Sequence, residues 1–466
     1  MSVPFRVEDA VDWISGHLVQ GNQTSQLSGV STDTRKLSAG QLFVAIVGPN
    51  HDAHDYLEGA VGAGAGGLMV QRGREPSGIW LADLPVISVE DTTRGLGALA
   101  RGHRKQFDGP VIAITGSNGK TTTKEICASV LAVGAPTHKN HGNLNNNYGL
   151  PLTLLAREPE HRRMVVELGM NHRGEIAELA AIAEPTIGIV TNIGSAHIEH
   201  LASRDEIALE KGDLLAAIDP NGTGVVNWDD DYAKDMASRT RGSVLFFGRG
   251  PGADVTAEDV RGSGHGFAFT LRAPQGRVDV KIPGLGETTV INALAAAAAA
   301  LAAGASLDDL ATGLASYKGI SGRLERRELP GNVVIIDDSY NANPQSMEVA
   351  LRLLASCQDA RRRIAVIGDM GELGDETEQA HVTVGRLAAE LGIEFVVAVG
   401  ENAECVADGA RAGGLTSERI RISPDSDAAG ETVQGLLRKG DWVLVKGSRT
   451  TRMERVTRYL ETEAAN

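Results

Sequence analysis

The stretch Val111–Thr123, VIAITGSNGKTTT, decides how the rest of the chain is read. A short apolar run, the length of a buried strand, leads into two closely spaced glycines and then into residues able to start a helix. Glycines let backbone N–H groups crowd around phosphate oxygens, and a helix that follows directs its positive end at them. In that frame Lys120 neutralises the outer phosphates and Thr121 is placed to ligate Mg²⁺. Gly116, Ser117, Asn118, Gly119 and Thr122 complete the cradle for a nucleotide. Only two residues separate Gly116 from Gly119, so the loop departs from the common G-x-x-x-x-G-K-S/T spacing. A lone glycine turn could arise by chance, but the strand before it and the helix after it are the context that a phosphate loop requires.

Outward from this loop, Met164–Glu167 and Gly188–Thr191 read as further buried strands, each ending in polar residues. The strand–loop–helix rhythm predicts an α/β fold with a mostly parallel sheet, whose ligands gather at the carboxyl ends of the strands. Before it, Gln41–Val47 and Gly67–Val70 read as strands, with a small-residue helix over Ala60–Gly66. After it, strands over Val333–Asp337, Ile364–Gly368, Phe395–Val399 and Trp442–Val445 alternate with helices such as Met347–Cys357. These form a second α/β sheet, expected to be smaller than the central one. Three units follow: 1–103, 104–321 and 322–466. A chain of 466 residues fits about three domains.

Composition narrows the function. A net charge of −15 argues against a nucleic-acid or membrane-surface binder, which would need a basic face. Aromatics are only 4%, so the cores rest on Ala, Val, Leu and Ile. The N-terminus shows no signal-peptide pattern. Ala293–Ala303, the longest apolar run, is nearly all alanine and reads as a tightly packed helix, not a membrane span. Cys127, Cys357 and Cys405 form no C-x-x-C pair and read as reduced thiols, which points to the cytoplasm.

Several polar residues stand at strand ends. Glu167 could hold Mg²⁺ beside a nucleotide; alone, such a residue is more often a strand-end acid in solvent or a helix cap. His197, in TNIGSAHIEH, could be a metal ligand, although a lone histidine is more often structural. Lys211, on a helix starting near Ser203, reads on its own as a solvated cation. Asn145 and Asn146 lie in HGNLNNNYG, a stretch that suits either amide recognition of a substrate or a plain polar turn. Asp337, Asp338, Tyr340 and Asn343 follow an apolar strand. Gly322-Arg323 precedes that strand and Lys446-Gly-Ser-Arg449 follows the last one, and both could line the far side of a cleft.

Together TGSNGKTTT, the Glu of ELGMN, the His of NIGSAHIEH, the Lys of EKGD and DDSYNANP resemble the Mur ligases, which build the peptide stem of peptidoglycan. The resemblance runs in order along essentially the whole chain. HGNLNNNYGLPLTLL, DDSYNANPQSM, GDMGELG and KGSR are most similar to the branch that adds D-alanyl-D-alanine to UDP-N-acetylmuramoyl-tripeptide. The resemblance implies an N-terminal UDP-binding domain, a central ATPase and a C-terminal Rossmann-like domain. It implies ATP and two Mg²⁺ ions as cofactors, and those two small molecules as the partners of a monomeric enzyme. It further implies that Thr121 and Glu167 hold one Mg²⁺, that His197 and a carbamylated Lys211 serve a second, and that Lys120, Lys211 and His197 are catalytic. By the same likeness Asn292 contacts adenine and Arg323 reaches the nucleotide from the domain hinge, with Asp338 beside it. Ser31 is implied in uridine-nucleotide binding, and Asn145, Asn146, Tyr340, Asn343 and Lys446 in substrate binding. Asp337 is expected between ATP and the incoming dipeptide. The rival readings are a sister ligase, such as another Mur enzyme or a folylpolyglutamate synthase, and a catalytically silent nucleotide-binding scaffold.

Overall fold

Strand-forming runs of Val and Ile alternate with helices throughout, and the computed structural model arranges them around three principal sheets. It describes residues 2–78, 81, 83–194, 198–201 and 203–465. The first sheet has five strands in the order His17–Gln20, Val86–Val89, Gly67–Gln71, Leu42–Val44, Val30–Ser31. The expected strand at Gln41–Val47 is shorter, because the chain leaves the sheet after Val44 and Val47 is exposed. The helix expected over Ala60–Gly66 is Leu57–Gly62.

The central sheet has six parallel strands, ordered Ser243–Phe247, Thr223–Asn227, Ile187–Val190, Val111–Thr115, Arg163–Glu167, Thr137–Lys139. Val111–Thr115 and its two neighbours are buried on both faces, as near-continuous apolar runs require. In this sheet Glu167 pairs with Ile114 and Val190 with Thr115, so three strand ends lie side by side. The alanine-rich helix, Thr288–Ala302, packs on one face of the sheet beside the Lys120–Gly134 helix. Ala293 to Ala300 are all buried, and their small side chains let the neighbouring helix approach closely. An antiparallel meander, Thr256–Ser263, Gly266–Ala273 and Gly276–Pro283, extends this layer and was not anticipated from sequence.

The C-terminal sheet corrects one expectation. It is not smaller than the central one: it also has six strands, ordered Glu325–Leu329, Val333–Asp338, Asp441–Lys446, Arg362–Gly368, Phe395–Val399, Ile420–Ser423. The antiparallel Glu325–Leu329 edge, rich in charge, gave no apolar signal to read.

The first and central sections share a core. The Thr92–Arg104 helix sets Leu96, Leu99 and Ala100 into one cluster with Leu154, Met164, Val166 and Leu179. Full burial of each such leucine contributes roughly 1.5–3 kcal/mol. At the other end Leu285 belongs to the C-terminal core, while the meander before it packs on the central one. The catalytic-looking residues lie where these layers meet. No helix among the described residues is long and apolar enough to cross a membrane.

Candidate active site

The phosphate-type loop is held open by two glycines. Gly116 has φ +147° and Gly119 φ +81°. A Cβ at Gly116 would lie 1.8 Å from Thr191 Oγ1, and one at Gly119 would lie 2.4 Å from Asn292 Oδ1. Neither position accepts a side chain, which explains the tight spacing of the two glycines. The Lys120–Gly134 helix starts at Gly119 with no side-chain cap, so its first N–H groups face the cleft.

Strand-end residues brace the loop. Ser117 N donates to Asn192 O at 3.0 Å, Asn118 N to Asn192 Oδ1 at 3.0 Å, and Thr191 Oγ1 to Asn118 O at 2.6 Å. Lys120 Nζ folds back to Gly116 O at 2.7 Å. Burial lowers the Lys120 pKa, and the nearby carboxylates Glu167 and Glu372 oppose that shift. Thr121 Oγ1 donates to Glu167 Oε2 at 2.8 Å, and Asn145 Nδ2 to Glu167 Oε1 at 2.9 Å. Asn146 Oδ1 instead accepts the N–H groups of Tyr148 and Gly149, so it closes the turn while also lining the cleft.

The C-terminal sheet supplies the opposite wall of a cleft of about 1690 Å³. Arg323 Nη2 donates to Thr121 Oγ1 at 3.1 Å, and its guanidinium lies 4.2 Å over the Tyr340 ring. Its Nε is buried with no hydrogen-bond partner among the described residues. Lys446 Nζ donates to Asp338 Oδ2 at 2.6 Å and to Asn341 O at 2.9 Å, and Asp338 Oδ1 accepts from Leu324 N. Asn343 Nδ2 crosses to Asn118 Oδ1 at 2.9 Å, so the two walls touch at the loop itself.

The cleft thus brings together Ser117, Asn118, Gly119, Lys120, Thr121, Thr122, Glu167, Asn145, Asn146, Asn292, Arg323, Asp338, Tyr340, Asn343 and Lys446. Ser31 and Asp337 fall elsewhere. Ser31 lies at the edge of the first sheet, where its hydroxyl bonds the Asp33 backbone. His197 lies outside the described residues. Asp337 points away from the cleft, because successive side chains on a strand alternate faces; it sits 3.4 Å from Arg327 Nε in a smaller cavity behind Tyr340.

Lys211 also departs from its bare reading as a surface cation. It is 1% exposed on the Arg204–Ala216 helix, and burial, reinforced by Lys120, drives its pKa well below the ordinary lysine value. Its neighbour Glu210 caps the helix opposite by accepting the N–H groups of Gly174 and Ile176. Sequence reasoning missed Asn192, Asn140 and Lys124, and passed over Glu372, which lines the cleft in a left-handed backbone conformation, φ +62°. The strand-end position of Asn192, directly after Thr191, was the one available signal among them.

A parallel sheet with an uncapped glycine loop, faced by a second α/β unit across a polar cleft, defines a nucleotide-using enzyme of the ligase type. Residues 114–300 match the Mur ligase middle domain and residues 322–449 the Mur ligase glutamate ligase domain. The chain belongs to the Mur ligase family. It is 38% identical to the UDP-N-acetylmuramoyl-tripeptide–D-alanyl-D-alanine ligase of Escherichia coli (strain K12), over 97% of each chain. Among solved structures it is similar to MurF from Acinetobacter baumannii, with TM-score 0.89, 34% identity and 99% of each chain covered. It is also similar to MurF ligase from Thermotoga maritima in complex with ADP, with TM-score 0.82 and 29% identity, covering 94% of this chain and 98% of that one.

Proposed function

We propose that this ligase uses ATP to join D-alanyl-D-alanine to UDP-N-acetylmuramoyl-tripeptide in the cytoplasm. The observation that carries the reading is one cleft walled by an open phosphate loop on one side and the Asp338–Lys446 pair on the other. The full-length likeness to enzymes of that name supports the choice of substrates. We divide the chain into a UDP-sugar unit at 1–103, an ATP unit at 104–321 and a unit for the incoming dipeptide at 322–466.

A carboxylate is a poor electrophile, and phosphorylation gives it a good leaving group. The terminal carboxylate of the tripeptide attacks the γ-phosphorus, an O–P bond forms and ADP leaves. The free amine of the dipeptide then attacks the acyl carbon, the C–O bond to phosphate breaks, and the nitrogen gives up a proton. Lys120, the helix amides and Arg323 offset the negative charge that gathers on the transferred group. The C-terminal wall keeps water from the acyl phosphate, which water would destroy. Thr121 and Glu167 offer adjacent oxygens, the hard donors Mg²⁺ takes, and would hold one ion, which would supply positive charge against the nucleotide phosphates. A second ion would draw on His197 and on Lys211 as a carbamate. The buried Lys211 amine is suited to that change: burial favours its neutral form, and a neutral amine adds to CO₂, forming an N–C bond and losing one proton. A native mass spectrum that gains no CO₂ under bicarbonate would count against the carbamate.

The deciding assay is phosphate release with ATP, the UDP-linked tripeptide and D-alanyl-D-alanine, each omitted in turn. Full activity with all three and loss on any omission is expected. Stronger turnover with glutamate or another amino acid as the amine would overturn the substrate assignment.

A further inference from the structure

Four residues around the phosphate loop form a closed hydrogen-bonded circuit, and two of them have no part in the chemistry above. Thr121 Oγ1 donates to Glu167 Oε2 at 2.8 Å. Glu167 N donates to Asn140 Oδ1 at 3.0 Å, and Asn140 Nδ2 reaches Leu144 O at 3.0 Å. Lys124 Nζ donates to Asn140 O at 2.7 Å, which returns the circuit to the helix that carries Thr121. Lys124 and Asn140 are both fully buried, at 0% exposure. A lysine so placed is retained only with partners that compensate its lost hydration; Glu125, 3.1 Å away and itself paired with Lys139, supplies the charge.

The circuit ties Glu167 to the helix twice: directly through its carboxylate, and indirectly through its backbone. The direct tie is expendable. Once Thr121 and Glu167 turn their oxygens toward a cation, the bond between them no longer fixes the carboxylate. The tie through Asn140 and Lys124 then keeps the end of the Arg163–Glu167 strand in register with the phosphate loop. Asn140 also holds Leu144, beside Asn145, whose amide grips the other Glu167 oxygen at 2.9 Å.

We infer that Lys124 and Asn140 are positioning residues that hold Glu167 for a divalent cation at the nucleotide phosphates. This deepens the reading of Thr121 and Glu167 given above and rests on it, but it does not depend on which amine or peptide the enzyme joins. The test is therefore made without those substrates: ADP binding to the whole protein is titrated calorimetrically, with Mg²⁺ and with EDTA. Outer partners of metal ligands typically contribute about 10–100-fold to metal affinity. Lys124→Met should raise the Mg²⁺ concentration needed to tighten ADP binding by about 10-fold, while ADP affinity in EDTA stays within about twofold of wild type. Lys124→Arg, which keeps a donor and a charge, should recover part of the loss.

Asn140→Ser, whose side chain is too short to span the 3.0 Å bonds to Glu167 N and Leu144 O, carries the same measurement if Lys124→Met does not fold. Unchanged Mg²⁺ dependence in the folded variants would overturn the inference. So would equal loss of binding with and without Mg²⁺, or failure of all three variants to fold, since each assigns the circuit to stability alone. A wild type that binds Mg²⁺–ADP normally but makes no product from D-alanyl-D-alanine would instead refute the substrate assignment and leave this one standing.

Discussion

Two strand–loop–helix turns meet across the cleft, and they end differently. After Val111–Thr115 the helix starts at Gly119 with no side chain over its first amides. After Val333–Asp338 the helix starts at Asn343, whose Oδ1 accepts from Ser346 N at 2.9 Å while Ser346 Oγ accepts from Asn343 N at 3.0 Å. Pro344, with no N–H to satisfy, completes that closed start. An uncapped start leaves donors for an anion; a capped one has used its own. The second turn is therefore a brace, and its Asn343 Nδ2 reaches across to Asn118 in the first. The same local topology gives a binding site or a support according to what fills the first helical turn.

The sharpest way to break this contrast is to remove the cation from the open turn. Lys120→Ala should lower ADP release by at least about 10²–10³-fold, the range for losing one strong donor to transition-state charge. Among the described residues Lys120 bonds only carbonyls of its own loop, so thermal unfolding should barely move. Near-normal ADP release from this variant would sink the assignment of the loop. A smaller effect is expected at the closed turn. Asn343→Ala removes a cap and should cost about 1 kcal/mol in denaturant unfolding, with a modest rise in the KM for ATP as Asn118 loses its partner. Asn343→Ser separates the two roles: serine restores the cap and the stability, yet cannot reach Asn118. If serine also restores the KM, the bridge between the walls has no part in nucleotide binding.

The open turn was legible in sequence because its chemistry is contiguous: strand, glycines, lysine and threonine lie within thirteen residues. The closed turn was legible as a strand end, but its role depends on pairs far apart in sequence, such as Asn343 with Asn118 and Lys446 with Asp338. Lys211 shows the limit most plainly. A charged residue at mid-helix reads as solvated, and only packing of the Glu175–Ala183 helix and the central sheet against its own helix buries it. Lys124 and Asn140 escaped for the same reason, since a buried lysine has no local signature. The meander and the Glu325–Leu329 edge lacked the apolar runs by which other strands were found. Asp337 and Asp338 looked equivalent because adjacent carboxylates differ only once the strand's faces are assigned.

That last pair gives the smallest and most discriminating effect. Asp338 is matched by Lys446, whereas Asp337 is 2% exposed and burial raises its pKa; the Ser339 N–H and Arg327 offset this only in part. A carboxyl whose folded pKa lies above its unfolded value is ionised at a cost to the fold. That cost is fully present above the raised pKa and is relieved as pH falls through it toward the unfolded value. Asp337→Asn removes the ionisation but still accepts the Ser339 N–H. Arg327 is not stranded, since Glu325 and Glu461 remain bonded to it at 2.9 and 2.8 Å. The variant should thus be at least as stable as wild type at neutral pH by denaturant unfolding, and the difference should shrink as the solution is acidified. A variant clearly less stable at pH 7 would mean that the Arg327 contact outweighs burial, and that both aspartates hold the strand through paired charge.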